Sequence, residues 1–410
     1  MTDGTRVTIT SLGALGDGAA MDGGAPLFVP GGLPGETWEI GPGGANTLVV
    51  PHPDRQPDRC SHFGHCGGCM AHHMPPALYA EWKRDIVISE LGQHGLPADV
   101  VAPLVTVPLA SRRRAVLTAE RRGGPFAIGF HAARSHRLEP MTDCAILVPA
   151  IHRALPLLAR LAAVLLTAHD EGRFTVLATD TGLDVTLTEP IVELPAGARA
   201  VAADIAREGR FARISVGRTP VVTLGPPQLS FSGTVVVPPP GAFVQAVAEA
   251  ERAMTSLVVE GVGRARRIAD LFSGTGTFTL PLARSARVLA VDSDAEAMAA
   301  LTAAFRGATG LKPVEARVRD LFREPLSVKE LADLDAVVLD PPRAGAKAQA
   351  ERLARTKVAR VVMVSCNPAT LARDLAILVA GGYRLVAVTP VDQFVLSAHV
   401  EAVAVLDRPR

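Results

Sequence analysis

Five cysteines, with a few acids spaced around them, carry most of the chemistry this 410-residue chain can offer. Three stand together in Cys60-Ser-His-Phe-Gly-His-Cys66-Gly-Gly-Cys69, and Cys144 follows 75 positions after Cys69. Four thiolates can hold zinc or a [4Fe–4S] cluster. Zinc sites usually come as two close pairs, so three clustered ligands and one distant one favour the cluster. An odd cysteine count argues against a disulfide framework and for metal binding or a reactive thiol. The four nearby histidines (62, 65, 72 and 73) are read as surface groups. The fifth cysteine, Cys366, sits in Ser365-Cys366-Asn367-Pro368 at the end of an apolar run. A cysteine there is either a small buried core residue or a nucleophile. Its polar neighbours favour the nucleophile.

A second constellation is a glycine turn, Asp270-Leu-Phe-Ser-Gly274-Thr-Gly276-Thr277. Such glycines let a backbone approach a ligand at the end of a strand. The next apolar run ends in Val291-Asp292, where a carboxylate can accept hydrogen bonds from both ribose hydroxyls. NAD and S-adenosylmethionine both meet this description. Thr279 in place of a third glycine, and acidic Asp270 before the turn, suit a cationic sulfonium better than a pyrophosphate. Asp340, in Asp340-Pro-Pro-Arg343, ends another apolar run. It is expected to share one cleft with Cys366, unless it serves only as a helix N-cap.

Positioning these groups falls to alternating strands and helices. Apolar strands are expected at 268–272, 288–292, 336–340, 361–365 and 384–388, a weaker one at 314–318, and a last one at about 400–406. Helical patterns lie between most of them, which implies a largely parallel sheet covered on both faces. Pro238-Pro239-Pro240-Gly241 marks the boundary before this run. Residues 105–235 read as mixed, with β-prone stretches at 115–119, 174–179 and 183–188 and one apolar helix near 149–168. A helix is expected over 76–93. The first fifty residues alternate short β-prone runs with glycine turns, the pattern of a small β-barrel.

Taken together, Ser365-Cys366-Asn367-Pro368, Asp340-Pro-Pro-Arg343 and His399-Val400-Glu401 resemble the RNA uracil-5-methyltransferase family. The cysteine block resembles that of its iron–sulfur members, best known from large-subunit ribosomal RNA enzymes. The first fifty residues resemble a TRAM module. The resemblance implies an α/β fold class: a Rossmann-like class I methyltransferase sheet at 239–410, a TRAM-type OB-like barrel at 1–55, and a central mixed α+β unit at 56–238 carrying a [4Fe–4S] cluster on Cys60, Cys66, Cys69 and Cys144. It implies Cys366 as nucleophile and Glu401 as general base. Gln245, Phe272, Asp292, Asp320 and Asp340 then lie on the S-adenosylmethionine side. Thr277 stands where relatives often carry Asn.

The implied reaction is methylation of C5 of a uridine, most readily in 23S rRNA, with transfer RNA as the alternative. Uracil C5 is a poor nucleophile until a thiolate adds at C6, and a base must then remove the C5 proton. Cys366 therefore needs a depressed pKa, which a helix starting near Pro368 could help supply. The base must leave the stack to be reached. A methyltransferase acting on an exocyclic amine has no use for Cys366, and an inactive iron–sulfur RNA-binding protein has no use for Cys366 and Glu401 together.

Lys+Arg (42) and Asp+Glu (41) nearly cancel, so an RNA partner has to be argued from local patches. Residues 111–137 hold seven arginines (112, 113, 114, 121, 122, 134, 137) against one acid, Glu120. That is a candidate phosphate-binding patch, or else a strand face balanced by distant acids. Hydrophobic residues are 48% and charged residues 20%, a globular balance. The start lacks an apolar leader, and the run at 155–168 is broken by Pro156 and Arg160, so a cytoplasmic monomer without a membrane span is expected.

Overall fold

The computed structural model describes residues 5–41 and 45–409; the expected spans at 1–4, 42–44 and 410 lie outside the described residues. Near the start, two three-stranded antiparallel sheets pack face to face. One joins Thr5–Thr8, Thr37–Ile40 and Asn46–Val50; the other joins Ser11–Leu12, Gly18–Asp22 and Ala25–Val29. Val7, Ile9, Ala20, Val29 and Trp38 fill the space between them.

One charge is buried beside this core. The Glu36 carboxylate accepts hydrogen bonds from the Leu33 N–H (2.9 Å), the Trp38 Nε1–H (3.0 Å), the His52 N–H (3.0 Å) and Arg55 Nη1 (2.7 Å). Burial works to raise its pKa, but these donors outweigh it and hold the carboxyl below its ordinary value. Its stabilising contribution is therefore present above the unfolded carboxylate pKa and is lost as pH falls through the lower folded value. Arg55→Met is expected to cost about 3 kcal/mol by stranding that charge. Hydrogen exchange of the Thr37–Ile40 amides checks it; unchanged protection contradicts it.

The central sheet has seven strands in the order Thr219–Thr223, Phe211–Val216, Gly182–Glu189, Glu171–Thr179, Arg114–Glu120, Ala127–His131, Leu138–Pro140. Neighbours are antiparallel except Gly182–Glu189 and Phe211–Val216. The helix Pro149–Leu165 turns an apolar stripe, Ile151, Ala154, Leu155, Leu158, Leu161, Ala162 and Leu165, toward the core. Leu158, Leu161 and Ala162 pack there with Leu117, Phe174 and Val185 of the sheet.

The last sheet has seven strands in the order Val314–Val318, Arg287–Asp292, Arg267–Leu271, Ala336–Leu339, Arg360–Ser365, Glu401–Asp407, Arg384–Val391. Only Glu401–Asp407 runs against the others. In chain order these are the third, second, first, fourth, fifth, seventh and sixth strands. The chain leaves the first strand in one direction and returns to the fourth on its other side. That is a topological switch point, and a crevice opens above it. The reversed seventh strand begins where the parallel fifth one ends (Ser365 lies opposite Ala402), so Glu401 arrives beside Cys366.

The helix Pro76–Gln93 and the segment after it also pack on this sheet. Val87, Leu91, Leu96 and Val101 share a core with Leu371, Leu375 and Val388. The Ala102 N–H donates to Val388 O (2.8 Å) and the Val105 N–H to Pro390 O (2.9 Å), which extends the sheet's edge. Among the described residues no helix is long and apolar enough to cross a membrane.

Candidate active site

A cavity of about 490 Å³ lies above the carboxyl ends of the last sheet. All eight residues expected in this region line it: Gln245, Phe272, Thr277, Asp292, Asp320, Asp340, Cys366 and Glu401. Strand order arranges them in a row. Asp320 follows the third strand, Asp292 ends the second, Phe272 follows the first, Asp340 the fourth and Cys366 the fifth, and Glu401 begins the seventh. Five steps of about 4.8 Å make a trough roughly 24 Å long. That is room for a nucleoside-sized donor and a second ring side by side.

At one end Asp292 is held from behind. Its two oxygens accept from the Gly274 N–H (2.9 Å) and the Asp294 N–H (2.8 Å). Remaining lone pairs are available to a diol. Asp320 accepts from the Phe322 N–H (2.9 Å), which sets the Phe322 ring against Phe272 at 5.4 Å between centroids. Phe272 takes φ +62°, costly for an aromatic residue, and its N–H bonds Val291 O at 2.8 Å. Gly276 has φ +97°, a conformation that L side chains rarely adopt, and a Cβ there would have to displace Leu301 Cδ1 at 2.5 Å, so a larger residue is strained at this turn.

The other end is acidic. Gln245 Nε2 donates to Asp340 Oδ2 (3.1 Å). Asp340 is pushed well above the ordinary carboxyl range by burial, then by Glu401, Asp270 and Asp292. Burial raises Glu401 to about 7, against the hydrogen bond from Gln393. The Gln245 Oε1 and Thr275 Oγ1 atoms in the cavity wall are buried without a partner among the described residues. Buried carboxylates and unpaired polar atoms suit a ligand that is cationic and rich in hydrogen-bonding groups. The sulfonium and ammonium of S-adenosylmethionine fit that requirement.

One expectation is made more specific and one is corrected here. Asp270 does not line the cavity: it is fully buried and receives the Thr279 hydroxyl at 2.5 Å. Its influence on the ligand is one of charge, and burial lifts its pKa to about 7. The Cys366 thiol is raised, not lowered, to about 11. Burial, Glu401 and Asp340 act upward, and Arg343 only partly offsets them. The helix Pro368–Ala380 does start beside it, with Asn367 as N-cap, but a helix terminus is worth less than two adjacent carboxylates.

Two other lining residues had no clear sequence signal, Phe322, which is 51% exposed, and Phe394, while His399 of the His399-Val400-Glu401 run also lines the cavity. Buried Gln393 was also missed; it touches Glu401 from the preceding turn.

The four remaining cysteines, Cys60, Cys66, Cys69 and Cys144, line one small pocket with His72, Phe63, Phe130 and Met141. Burial and the other three thiols push Cys69 up to about 12. Among the described residues no three His, Cys, Asp or Glu side chains stand close enough to hold a metal ion. Of the histidines read as surface groups, His72 and His73 are buried, and His62 is engaged by Glu139 at 3.0 Å.

The arginine patch is largely neutralised. Arg113 pairs with Glu251 (2.6 Å), Arg121 with Asp170 (2.9 Å), Arg122 with Glu120, Arg134 with Asp17 (3.7 Å) and Arg137 with Glu139 (3.9 Å). The Nε atoms of Arg112 and Arg114 donate to the backbone carbonyls of Arg114 and Ala242.

Comparison with known proteins agrees with this geometry. Residues 237–409 match the model of the tRNA (uracil-5-)-methyltransferase family. An uncharacterized RNA methyltransferase of Rhizobium meliloti (strain 1021) is 45% identical over 418 aligned residues, covering 100% of both chains. The 23S rRNA (uracil(1939)-C(5))-methyltransferase of Alkalilimnicola ehrlichii is 32% identical and covers 98% of this chain and 96% of its own. In fold, the chain is similar to the crystal structure of Pyrococcus abyssi tRNA (uracil-54, C5)-methyltransferase with S-adenosyl-L-homocysteine. The TM-score is 0.74 at 23% identity, covering 98% of this chain and 100% of that one. The sheet is thus that of a class I methyltransferase, and the chain belongs to the RNA uracil-5-methyltransferase family.

Proposed function

We propose that this enzyme methylates C5 of a uridine in 23S rRNA through a transient bond between Cys366 and C6 of the uracil. The observation that carries the reading is the meeting of Cys366, Glu401 and Asp340 at three neighbouring strand ends in one cavity. S-adenosylmethionine supplies an electrophilic methyl when bound. Phe272, Phe322, Asp292 and Asp320 would hold its nucleoside, and the acidic end of the trough would favour its cationic end.

The Cys366 thiolate adds to C6, and the electron pair of the C5–C6 double bond moves toward C5 and O4. C5 then forms its bond to the methyl carbon as the methyl–sulfur bond of the sulfonium breaks, the sulfur keeping that electron pair and leaving as a neutral thioether. Glu401 accepts the C5 proton, and expulsion of the Cys366 thiolate restores the double bond. Asp340, kept protonated by burial and its acidic neighbours, can donate a hydrogen bond to the uracil edge while Gln245 holds its other oxygen.

Cationic donor binding beside raised carboxylates lowers their pKa values, so protons leave as the donor enters. With groups near 7, affinity for S-adenosylmethionine is expected to rise between about pH 6 and 8, with net proton release near pH 7. Calorimetry in buffers of different ionisation enthalpy measures this. A pH-independent affinity contradicts it.

The pocket of Cys60, Cys66, Cys69 and Cys144 is assigned to a [4Fe–4S] cluster. Four thiols line one pocket, three of them clustered in sequence and one from 75 positions later, a spacing that suits a cluster better than the two close pairs usual for zinc. The count also closes, with four thiols for the cluster and Cys366 for catalysis. The domain plan is a TRAM-type barrel at 1–55, a cluster-bearing unit at 56–238 and the methyltransferase domain at 239–410, working as a cytoplasmic monomer. 23S rRNA stands first because the relative named for that substrate aligns with 98% of the chain. Mapping 5-methyluridine in RNA from cells with and without the gene tests the target. Loss of one 23S rRNA site is expected; loss in transfer RNA alone moves the activity there, and no loss overturns the reading.

A further inference from the structure

We propose that Gln393 is a positioning residue for Glu401: its amide turns one carboxylate oxygen aside and holds the group in its proton-accepting form, leaving the other oxygen for the C5 proton. The proposal rests on the reading of Glu401 as the base.

Gln393 is 2% exposed, in the turn between Arg384–Val391 and Glu401–Asp407. Its Oε1 accepts from the Ala246 N–H at 3.0 Å. A backbone N–H can only donate, so the orientation of the amide is determined. Nε2 is therefore the end that meets Glu401 Oε2, at 2.8 Å. Among the described residues it is the one donor to that carboxylate.

The turn itself is pinned. Asp392 accepts from buried Lys83 Nζ (2.8 Å) and from the Tyr79 hydroxyl (2.8 Å). Lys83 also donates to the carbonyls of Phe394 (3.1 Å) and His399. Gln393 thus cannot follow Glu401 if the carboxylate swings; it sets where the carboxylate stands.

The charged and titratable groups that face Glu401 make this contact matter. Asp340 comes from the fourth strand's end, Cys366 from the fifth, Arg343 from the loop after Asp340, and His399 from the turn before Glu401. Asp340 and Cys366 gain negative charge as they ionise and so oppose a charged Glu401. Gln393 works the other way. On the far side, the neighbouring Gln245 gives Asp340 the same kind of contact. Each buried carboxylate of the pair receives one side-chain amide N–H.

The test is tritium release from RNA containing [5-³H]uridine, in single turnover, followed against pH. Gln393→Met is expected to move the half-maximal pH up by about one unit and to slow release roughly fivefold at pH 7. Gln393→Glu keeps an acceptor for the Ala246 N–H but replaces the donor with an acid. It is expected to shift the profile further. A Gln393→Glu profile matching wild type, or a Gln393→Met loss equal at every pH, overturns the proposal. Glu401→Gln serves as the separate control: release at the wild-type rate there removes the base assignment itself, whatever position 393 does.

Discussion

Cys366→Ala is expected to lower single-turnover methylation by at least about 10⁴-fold, with S-adenosylmethionine affinity held within a few fold. The size follows from losing the step that makes C5 nucleophilic; removing the nucleophile of a covalent mechanism costs on this scale. Donor affinity is spared because the groups assigned to the nucleoside, Asp292, Asp320, Phe272 and Phe322, lie at the other strand ends. A variant that keeps more than a tenth of wild-type turnover contradicts the account. The raised thiol implies a resting enzyme of low reactivity toward electrophiles. A pKa of about 11 leaves roughly one thiol in 10⁴ ionised at pH 7. A cation bound beside Asp340 and Glu401 lowers that barrier, so alkylation of Cys366 by iodoacetamide is expected to quicken when the donor is present.

Glu401→Gln should separate the two halves of the reaction. Addition of Cys366 and methyl transfer proceed, but the C5 proton has no acceptor, so the methylated covalent adduct accumulates. Overall turnover falls about 10²- to 10⁴-fold, the range of a lost general base. Denaturing gels with methyl-labelled donor display the adduct directly. Low turnover without an accumulated adduct would assign Glu401 an earlier role. For the wild type, release of the C5 proton is expected to quicken as pH rises through about 7, because the deprotonated carboxylate is the active form.

Much of the site was legible in the chain itself because its parts are local. A strand, a turn and a cap fit in one short stretch such as Ser365-Cys366-Asn367-Pro368, where Asn367 accepts from the Ala369 N–H at 3.2 Å. Alternation of strands and helices then brings such strand ends to one edge. What was not legible depends on distant partners. Arg113 and Arg134 read either as a phosphate-binding patch or as charge balanced by distant acids, and sequence could not choose, because those acids, Glu251 and Asp17, lie more than a hundred residues away. The role of Gln393 arises from Ala246, 147 positions off. Attachment of Pro76–Gln93 to the catalytic sheet is equally non-local, since an amphipathic helix does not declare which core it joins. The thiol of Cys366 was misjudged for the same reason. The helix terminus is its neighbour in sequence, while the carboxylates that outweigh it come from other strands.

RNA carrying 5-fluorouridine at the target, incubated with the enzyme and S-adenosylmethionine, is the most direct test. Fluorine cannot leave as a proton, so turnover stops at the adduct. A stable protein–RNA species bearing the transferred methyl group is expected, with the cross-link on the peptide containing Cys366, and none with Cys366→Ala. Methylation of ordinary uridine RNA without any trapped species, or a cross-link at another residue, would contradict the account.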